Sequence, residues 1–104
     1  MFPEIPYETV DTHQDDGDER TIILYSLSFC HHCREARRLL EELHVSFRTT
    51  HLDLLDPEVR RPALRELREI HGDRVPYPVL EIDGSFTFGF DRDEWMRRLG
   101  STAE

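Results

Sequence analysis

The pattern of apolar and polar positions predicts strands and helices in alternation after residue 20. Residues 21–25 form a continuous β-branched and apolar run, typical of a strand buried on both faces. Residues 31–44 follow as an amphipathic helix. Its apolar stripe, at i, i+3, i+4 and i+7, consists of Ala36, Leu39, Leu40 and Leu43. Apolar and polar residues alternate weakly over 45–52, which favours a second strand.

The next segment has a helix start signal that conflicts with an internal proline. Asp56 and Pro57 suit the N-cap and the first helical position. Pro62 lies five residues further on, where a proline removes a backbone hydrogen bond. The sequence therefore predicts a turn at 57–61 and a helix at 62–71.

A hairpin and a short helix complete the pattern. Residues 79–82 and 85–88 predict two strands, and the Asp83-Gly84 pair between them is a signal for a two-residue turn. Asp91 suits the N-cap of a last helix that docks through Trp95. The order βαβαββα predicts an α/β fold in which a four-stranded mixed sheet carries three helices on its two faces.

The first 20 residues stand apart from this pattern. They hold seven acidic residues against one arginine, so we interpret residues 1–20 as an acidic, flexible tail. Four residues are apolar enough to pack a short piece of it: Phe2, Ile5, Tyr7 and Val10. The predicted organisation is this tail, a folded domain at 21–100 and a C-terminal tail at 101–104.

Composition narrows the functional class. The 104 residues carry a net charge of -9, which argues against a nucleic-acid-binding surface. No apolar run approaches the roughly 18 residues of a membrane span. The first 20 residues contain no apolar core of a secretory signal. We therefore expect a cytoplasmic monomer that binds neither membranes nor nucleic acid.

The motif Cys30-His31-His32-Cys33 carries the chemistry of the chain, and it falls where the first strand passes into the first helix. Residues at i and i+3 share a helix face, so the two sulfur atoms can meet. A thiolate at the helix N-terminus is stabilised by unpaired N–H groups, which makes Cys30 the expected nucleophile. Cys33 lies one turn inside and is suited to resolving a mixed disulfide. A protonated His31 or His32 would lower the pKa of Cys30.

Two other interpretations of the pair are weaker. Both cysteines can be ordinary buried thiols, although their spacing and position argue for a redox motif. Four consecutive Cys and His residues cannot converge on one tetrahedral metal, because neighbours on a helix point apart. We expect no intrinsic metal and no bound cofactor.

The stretch Tyr-Ser-Leu-Ser-Phe-Cys-His-His-Cys-Arg-Glu-Ala-Arg-Arg-Leu-Leu at 25–40 resembles glutaredoxins and glutaredoxin-like redoxins. The stretch Tyr-Pro-Val-Leu-Glu-Ile-Asp-Gly at 77–84 is similar to the segment of that family around its cis-proline. The resemblance covers residues 21–100. It implies a thioredoxin-like fold, with Pro78 as the cis-proline and Tyr77 as the residue whose backbone pairs with a substrate peptide or glutathione.

The resemblance also implies a second group of site residues after the hairpin. Gly89, Phe90 and Asp91 occupy positions where the family contacts glutathione, although an N-cap role explains Asp91 equally well. Leu27 stands where many glutaredoxins have a lysine, and Phe88-Gly89 replaces their Gly-Gly. The Gly89-Phe90 pair is closer to redoxins that take electrons from thioredoxin reductase.

The implied function is thiol-disulfide exchange. The chain would reduce protein disulfides or glutathione mixed disulfides, with glutathione as co-substrate or thioredoxin reductase as electron donor. One alternative is a binding module that shares an iron–sulfur cluster between two chains through Cys30 and glutathione. That class usually resembles a motif with one cysteine, so Cys33 argues against it. A redox-regulator branch with CxxC carries a larger helical insertion than this chain has room for.

Overall fold

The protein folds as one five-stranded sheet flanked by three α-helices, in a computed structural model that describes residues 4–10 and 20–100. The strands are β1 (Glu8–Val10), β2 (Ile22–Ser26), β3 (Phe47–His51), β4 (Val79–Ile82) and β5 (Ser85–Phe88), and the helices are α1 (His31–Glu42), α2 (Pro57–His71) and α3 (Arg92–Gly100). A short 3-10 helix, Leu52–Leu54, follows β3.

The sheet places the start of α1 beside the segment that enters β4. The strand order is β1-β3-β2-β4-β5, so β2 is the central strand. It pairs in parallel with β3 and antiparallel with β4. The segments that follow β2 and precede β4 therefore lie at the same edge of the sheet. All five residues of β2 are buried, which confirms the prediction of a strand covered on both faces.

Two apolar cores follow from the alternation of side chains along β2. Ile22 and Leu24 pack with α1 and α3, where Leu39, Leu40 and Trp95 are at most 1% exposed. On the opposite face, the buried core residues are Ile5, Ile23, Tyr25, Leu52, Ala63, Leu67 and Val79. Two helices thus cover one face of the sheet, and α2 with the N-terminal segment covers the other.

The fifth strand, β1, corrects the predicted count of four. It pairs antiparallel with β3, and Ile5 before it is only 6% exposed. A three-residue edge strand is too short to show a hydrophobic period, and its acidic setting favours disorder in sequence analysis. Its pairing with β3 and the burial of Ile5 outweigh that local composition. Phe2 and the predicted tail residues 11–19 and 101–104 lie outside the described residues.

Helix α2 also corrects a prediction, because it runs from Pro57 through Pro62 without a break. Proline at position 62 removes the hydrogen bond to the Glu58 carbonyl. Glu58 is exposed in the first turn, where water can satisfy that carbonyl. Ala63 and Leu67 are fully buried beyond it, so packing offsets the lost bond.

The C-terminal elements agree with their predicted bounds. The strands Val79–Ile82 and Ser85–Phe88 pair through a tight turn in which Asp83 and Gly84 have φ of 50° and 85°. Positive φ at both positions is the signature of a type I′ turn, which suits an Asp-Gly pair. Among the described residues, no helix is long and apolar enough to cross a membrane.

Candidate active site

Cys30 occupies the N-cap of α1, as the strand-to-helix junction predicts. Its φ and ψ of -102° and 116° are extended, so the helical conformation begins at the next residue, His31. The Cys30 Sγ accepts a hydrogen bond of 3.2 Å from the Cys33 N–H. A backbone donor of the first helical turn therefore points at the sulfur, where it favours negative charge.

Cys33 is the shielded member of the pair. It is 3% exposed and belongs to the buried face of α1, whereas Cys30 is partly exposed. Burial, followed by the hydrogen bond to Cys30, raises the pKa of the Cys33 thiol to about 12. Both residues are free thiols in this structure. The pair thus consists of one accessible sulfur and one protonated sulfur behind it.

Asp53, in the 3-10 helix that follows β3, holds the loop before Cys30 through hydrogen bonds. Its carboxylate accepts a 2.9 Å hydrogen bond from the Ser28 N–H and a second one from the Ser28 hydroxyl. Partial burial opposes ionisation, yet the two hydrogen bonds from Ser28 hold the pKa of Asp53 below its ordinary value. Within the same loop, the Cys30 N–H donates a hydrogen bond of 3.4 Å to the Leu27 carbonyl.

Removing the Asp53 carboxylate is expected to lower the free energy of unfolding by about 1–2 kcal/mol at pH 7, because two bonds to a charged acceptor are lost. Because the pKa of Asp53 is lower in the folded state, its ionised carboxylate stabilises the protein above the unfolded pKa of about 3.9. This stabilisation is lost as pH falls through the folded pKa. Urea unfolding of Asp53→Ala and wild type should therefore converge below about pH 4. The control is Asp56→Ala, because the exposed Asp56 side chain makes no cap hydrogen bond. A stability gap for Asp53→Ala that is independent of pH would contradict this account.

His31 and His32 lie on the exposed first turn of α1 and both contact Glu35. The His31 Nε2 lies 3.1 Å from the Glu35 carboxylate, and the His32 Nδ1 lies 3.8 Å from it. The two side chains are 68% and 69% exposed. Their predicted influence on Cys30 stays a prediction, and Glu35 is the partner that the sequence analysis did not assign to them.

The segment before β4 brings Tyr77 and Pro78 to this edge of the sheet. The Tyr77–Pro78 peptide bond is cis, as predicted, and Pro78 is buried. Burial raises the pKa of the Tyr77 hydroxyl, while charge on Arg68 lowers it and charge on Cys33 raises it. Tyr77 also lies near Arg68 of α2, because the two side chains line the same cavity.

A cavity of about 240 Å³ adjoins Tyr77 on the α2 side. Its lining residues are Leu64, Arg68, Asp73, Val75 and Tyr77. Arg68 and Asp73 belong to no sequence motif, so they could not be assigned to the site from the sequence. Only the fold brings them to Tyr77. Among the described residues, the Tyr77 backbone has no hydrogen-bond partner, so its N–H and C=O are available.

The segment after β5 is tied to the same cis-proline. The Gly89 N–H donates to the Pro78 carbonyl at 2.8 Å, and Gly89 has a φ of 79° that favours glycine. The Phe90 ring packs edge-on against Trp95 at 5.0 Å. Asp91 Oδ1 accepts from the Glu94 N–H at 3.2 Å, so the N-cap role of Asp91 is confirmed. Its contact with glutathione stays a prediction, like those of Gly89 and Phe90.

The glutaredoxin family model matches residues 22–87, which include the cysteine pair, the cis-proline and most of the sheet. The chain belongs to the glutaredoxin family. This match confirms the resemblance drawn from the sequence. A comparison with curated protein sequences found no match.

Solved glutaredoxin structures have the same fold. The glutaredoxin from Methanosarcina mazei Go1 is 27% identical with a TM-score of 0.76, over 90% of this chain and 87% of that one. Methanoredoxin from Methanosarcina acetivorans is 25% identical with a TM-score of 0.67, over 77% of this chain and 84% of that one. A buckwheat glutaredoxin–glutathione complex is 21% identical with a TM-score of 0.65, over 81% and 74%, which shows a common fold.

Family membership and the Cys30–Cys33 pair together support the role of a thiol-disulfide oxidoreductase. The thioredoxin-like fold is confirmed, with five strands in place of the predicted four. The iron–sulfur alternative is not favoured, because Cys33 supplies a second sulfur directly behind Cys30.

Proposed function

We propose that the protein catalyses the reduction of disulfides by a two-cysteine mechanism, with Cys30 as nucleophile and Cys33 as resolving thiol. The observation that carries this proposal is the 3.2 Å hydrogen bond from the Cys33 N–H to the Cys30 Sγ at the start of α1. That donor stabilises a Cys30 thiolate, and the burial of Cys33 keeps the second sulfur protonated until it is needed.

The first step is attack on the substrate disulfide. The Cys30 thiolate forms a bond to one substrate sulfur, and the substrate S–S bond breaks. The other substrate sulfur leaves as a thiolate and takes a proton from water. The product is a mixed disulfide between Cys30 and the substrate.

The second step releases the substrate and oxidises the pair. Cys33 loses its proton and attacks the Cys30 Sγ, so a Cys30–Cys33 disulfide forms as the second substrate thiolate leaves. Two thiols of a reductant then restore the dithiol and become a disulfide themselves. Two electrons thus pass from the reductant to the substrate in each cycle.

We propose glutathione as that reductant, bound along Tyr77 and the cavity beside it. Glutathione has two carboxylates and one ammonium group, and the cavity offers Arg68 and Asp73 as opposite charges. The free N–H and C=O of Tyr77 can pair with its peptide backbone. Gly89, Phe90 and Asp91, which the family resemblance assigns to glutathione contact, would complete this proposed site. A buckwheat glutaredoxin of the same fold has been solved with glutathione.

Turnover with two separate electron sources tests the proposal. A protein disulfide is supplied with glutathione and glutathione reductase, or with thioredoxin reductase, and NADPH oxidation is followed. We expect turnover in the glutathione arm. Turnover only with thioredoxin reductase would reject glutathione but keep the oxidoreductase, whereas no turnover in either arm would reject both.

A matched pair of variants locates the glutathione site. Arg68→Ala should raise the KM for glutathione about fivefold, because the charge-assisted contact between the exposed Arg68 guanidinium and a glutathione carboxylate is lost. Arg61→Ala is the control, since Arg61 is exposed on the same helix and does not line the cavity. Equal effects of the two variants would show that only the overall charge matters.

A further inference from the structure

Two large apolar side chains are exposed, one in the Cys30 loop and one in the 3-10 helix that is hydrogen-bonded to that loop. Phe29 precedes Cys30 in the chain and is 74% exposed, and Leu54 is 68% exposed. They are the most exposed large hydrophobic residues in the described part of the chain. Adjacent exposed apolar residues often indicate a surface that a partner covers.

The hydrogen bonds between Ser28 and Asp53 bring these two residues together. Ser28 and Asp53 are the residues immediately before Phe29 and Leu54, and their N–H to carboxylate distance is 2.9 Å. Two segments whose bonded residues are 25 positions apart in sequence are thus joined just before Cys30, and each carries one of the two exposed apolar residues. Because Asp53 is held by two hydrogen bonds, the position of Leu54 relative to the Cys30 loop is fixed.

This surface continues into a second cavity, of about 210 Å³. Its lining residues are Pro6, Glu8, Thr49, Thr50, His51, Leu54 and Leu55. None of them lines the cavity beside Tyr77, which is formed by α2 and the segment before β4. The Cys30 loop therefore has the cavity with Arg68 and Asp73 on its β4 side, and the exposed Phe29 and Leu54 beside a cavity of mixed lining on its β3 side.

We propose that Phe29, Leu54 and the adjoining cavity, here called the β3-side surface, dock an apolar side chain of the protein substrate whose disulfide Cys30 attacks. The occupant follows from continuity with the redox site, because a polypeptide joined covalently to Cys30 must lie over this loop. Because the Cys30 loop is hydrogen-bonded to the segment that carries Leu54, side chains close to the substrate cysteine in sequence are the ones placed to meet Leu54. This inference rests on the proposed attack by Cys30.

The surface would select protein substrates with a large apolar residue near the reactive cysteine. Burying a leucine or phenylalanine side chain favours binding by at least about tenfold. A small disulfide has no such side chain and gains nothing. Substrate choice would therefore be made on the β3 side, separately from glutathione on the β4 side.

Activated peptides test the surface without any need for turnover. In a Cys33→Ser variant, peptides whose single cysteine carries thionitrobenzoate react with Cys30. The Cys30–peptide bond forms, the old S–S bond breaks, and the yellow thionitrobenzoate anion leaves. A peptide with leucine two residues from its cysteine should react about tenfold faster than its serine counterpart.

Variants at the surface decide the outcome. Leu54→Ser and Phe29→Ser should each reduce that preference at least about threefold and leave the rate with a small hydrophilic disulfide, such as hydroxyethyl disulfide, unchanged. Met96→Ser is the control, because Met96 is 41% exposed on α3. A preference that survives both substitutions, or an equal slowing with the small disulfide, would overturn the inference. The peptide exchange needs no reductant, whereas NADPH-linked turnover does. Failure of turnover alone would therefore reject the proposed function and leave the peptide preference to be judged separately.

Discussion

Replacing Cys33 with serine is expected to trap the protein as a mixed disulfide with its substrate through Cys30. The first exchange needs only Cys30, whereas release requires the Cys33 sulfur. Replacing Cys30 with serine should lower disulfide reduction by roughly a thousandfold or more, because the exposed nucleophile is lost and Cys33 is 3% exposed. Intact-mass measurement of each variant after reaction with a protein disulfide provides the test.

The pKa of Cys33 adds a check on the same mechanism. Burial is the main cause that raises this pKa to about 12, and it persists after Cys30 has formed the mixed disulfide. Below that value, the thiolate fraction of Cys33 rises about tenfold for each pH unit. Release of the substrate from wild type should therefore accelerate with pH between 7 and 9. Adducts on Cys33 in the Cys30→Ser protein, or a release rate independent of pH, would contradict the assigned roles.

The parts of the fold that sequence analysis predicts correctly are those with strong local signals. The buried run at Ile22–Ser26, the stripe on α1 and the Asp83-Gly84 turn each combine a periodic pattern with suitable flanking residues. The N-cap position of Cys30 follows from the same logic, because the apolar stripe of α1 indicates a helix that begins directly after this residue.

The parts that sequence analysis misses depend on tertiary contacts. Pro62 is tolerated in α2 because Ala63 and Leu67 are fully buried after it, which no local rule reveals. Asp53 binds Ser28, which is 25 positions away in the sequence, and no local signal in either segment predicts this pairing. The cavity beside Tyr77 likewise depends on how α2 lies against the segment before β4.

The N-terminal segment is the clearest case of such dependence, and its contacts indicate a structural role. Ile5 is buried among Tyr25, Leu67 and other residues beneath α2, and the Tyr7 ring meets the Tyr25 ring edge-on at 6.4 Å. Glu8 forms two hydrogen bonds with Arg37 of α1, at 3.0 and 3.3 Å, and this arginine lowers the pKa of Glu8. The segment thus connects the sheet to the helix that bears the two cysteines.

Ile5→Ala is therefore expected to lower the free energy of unfolding by about 2–4 kcal/mol, because it leaves a cavity in a packed core. Glu4→Ala, at the exposed neighbouring position, should change it by less than about 0.5 kcal/mol. Chemical denaturation measures both. The folded fraction of Ile5→Ala should still react through Cys30 with a small disulfide, because Cys30 and Cys33 lie outside the core cluster that contains Ile5. A stability of Ile5→Ala equal to that of Glu4→Ala would show that the segment is a dispensable tail after all.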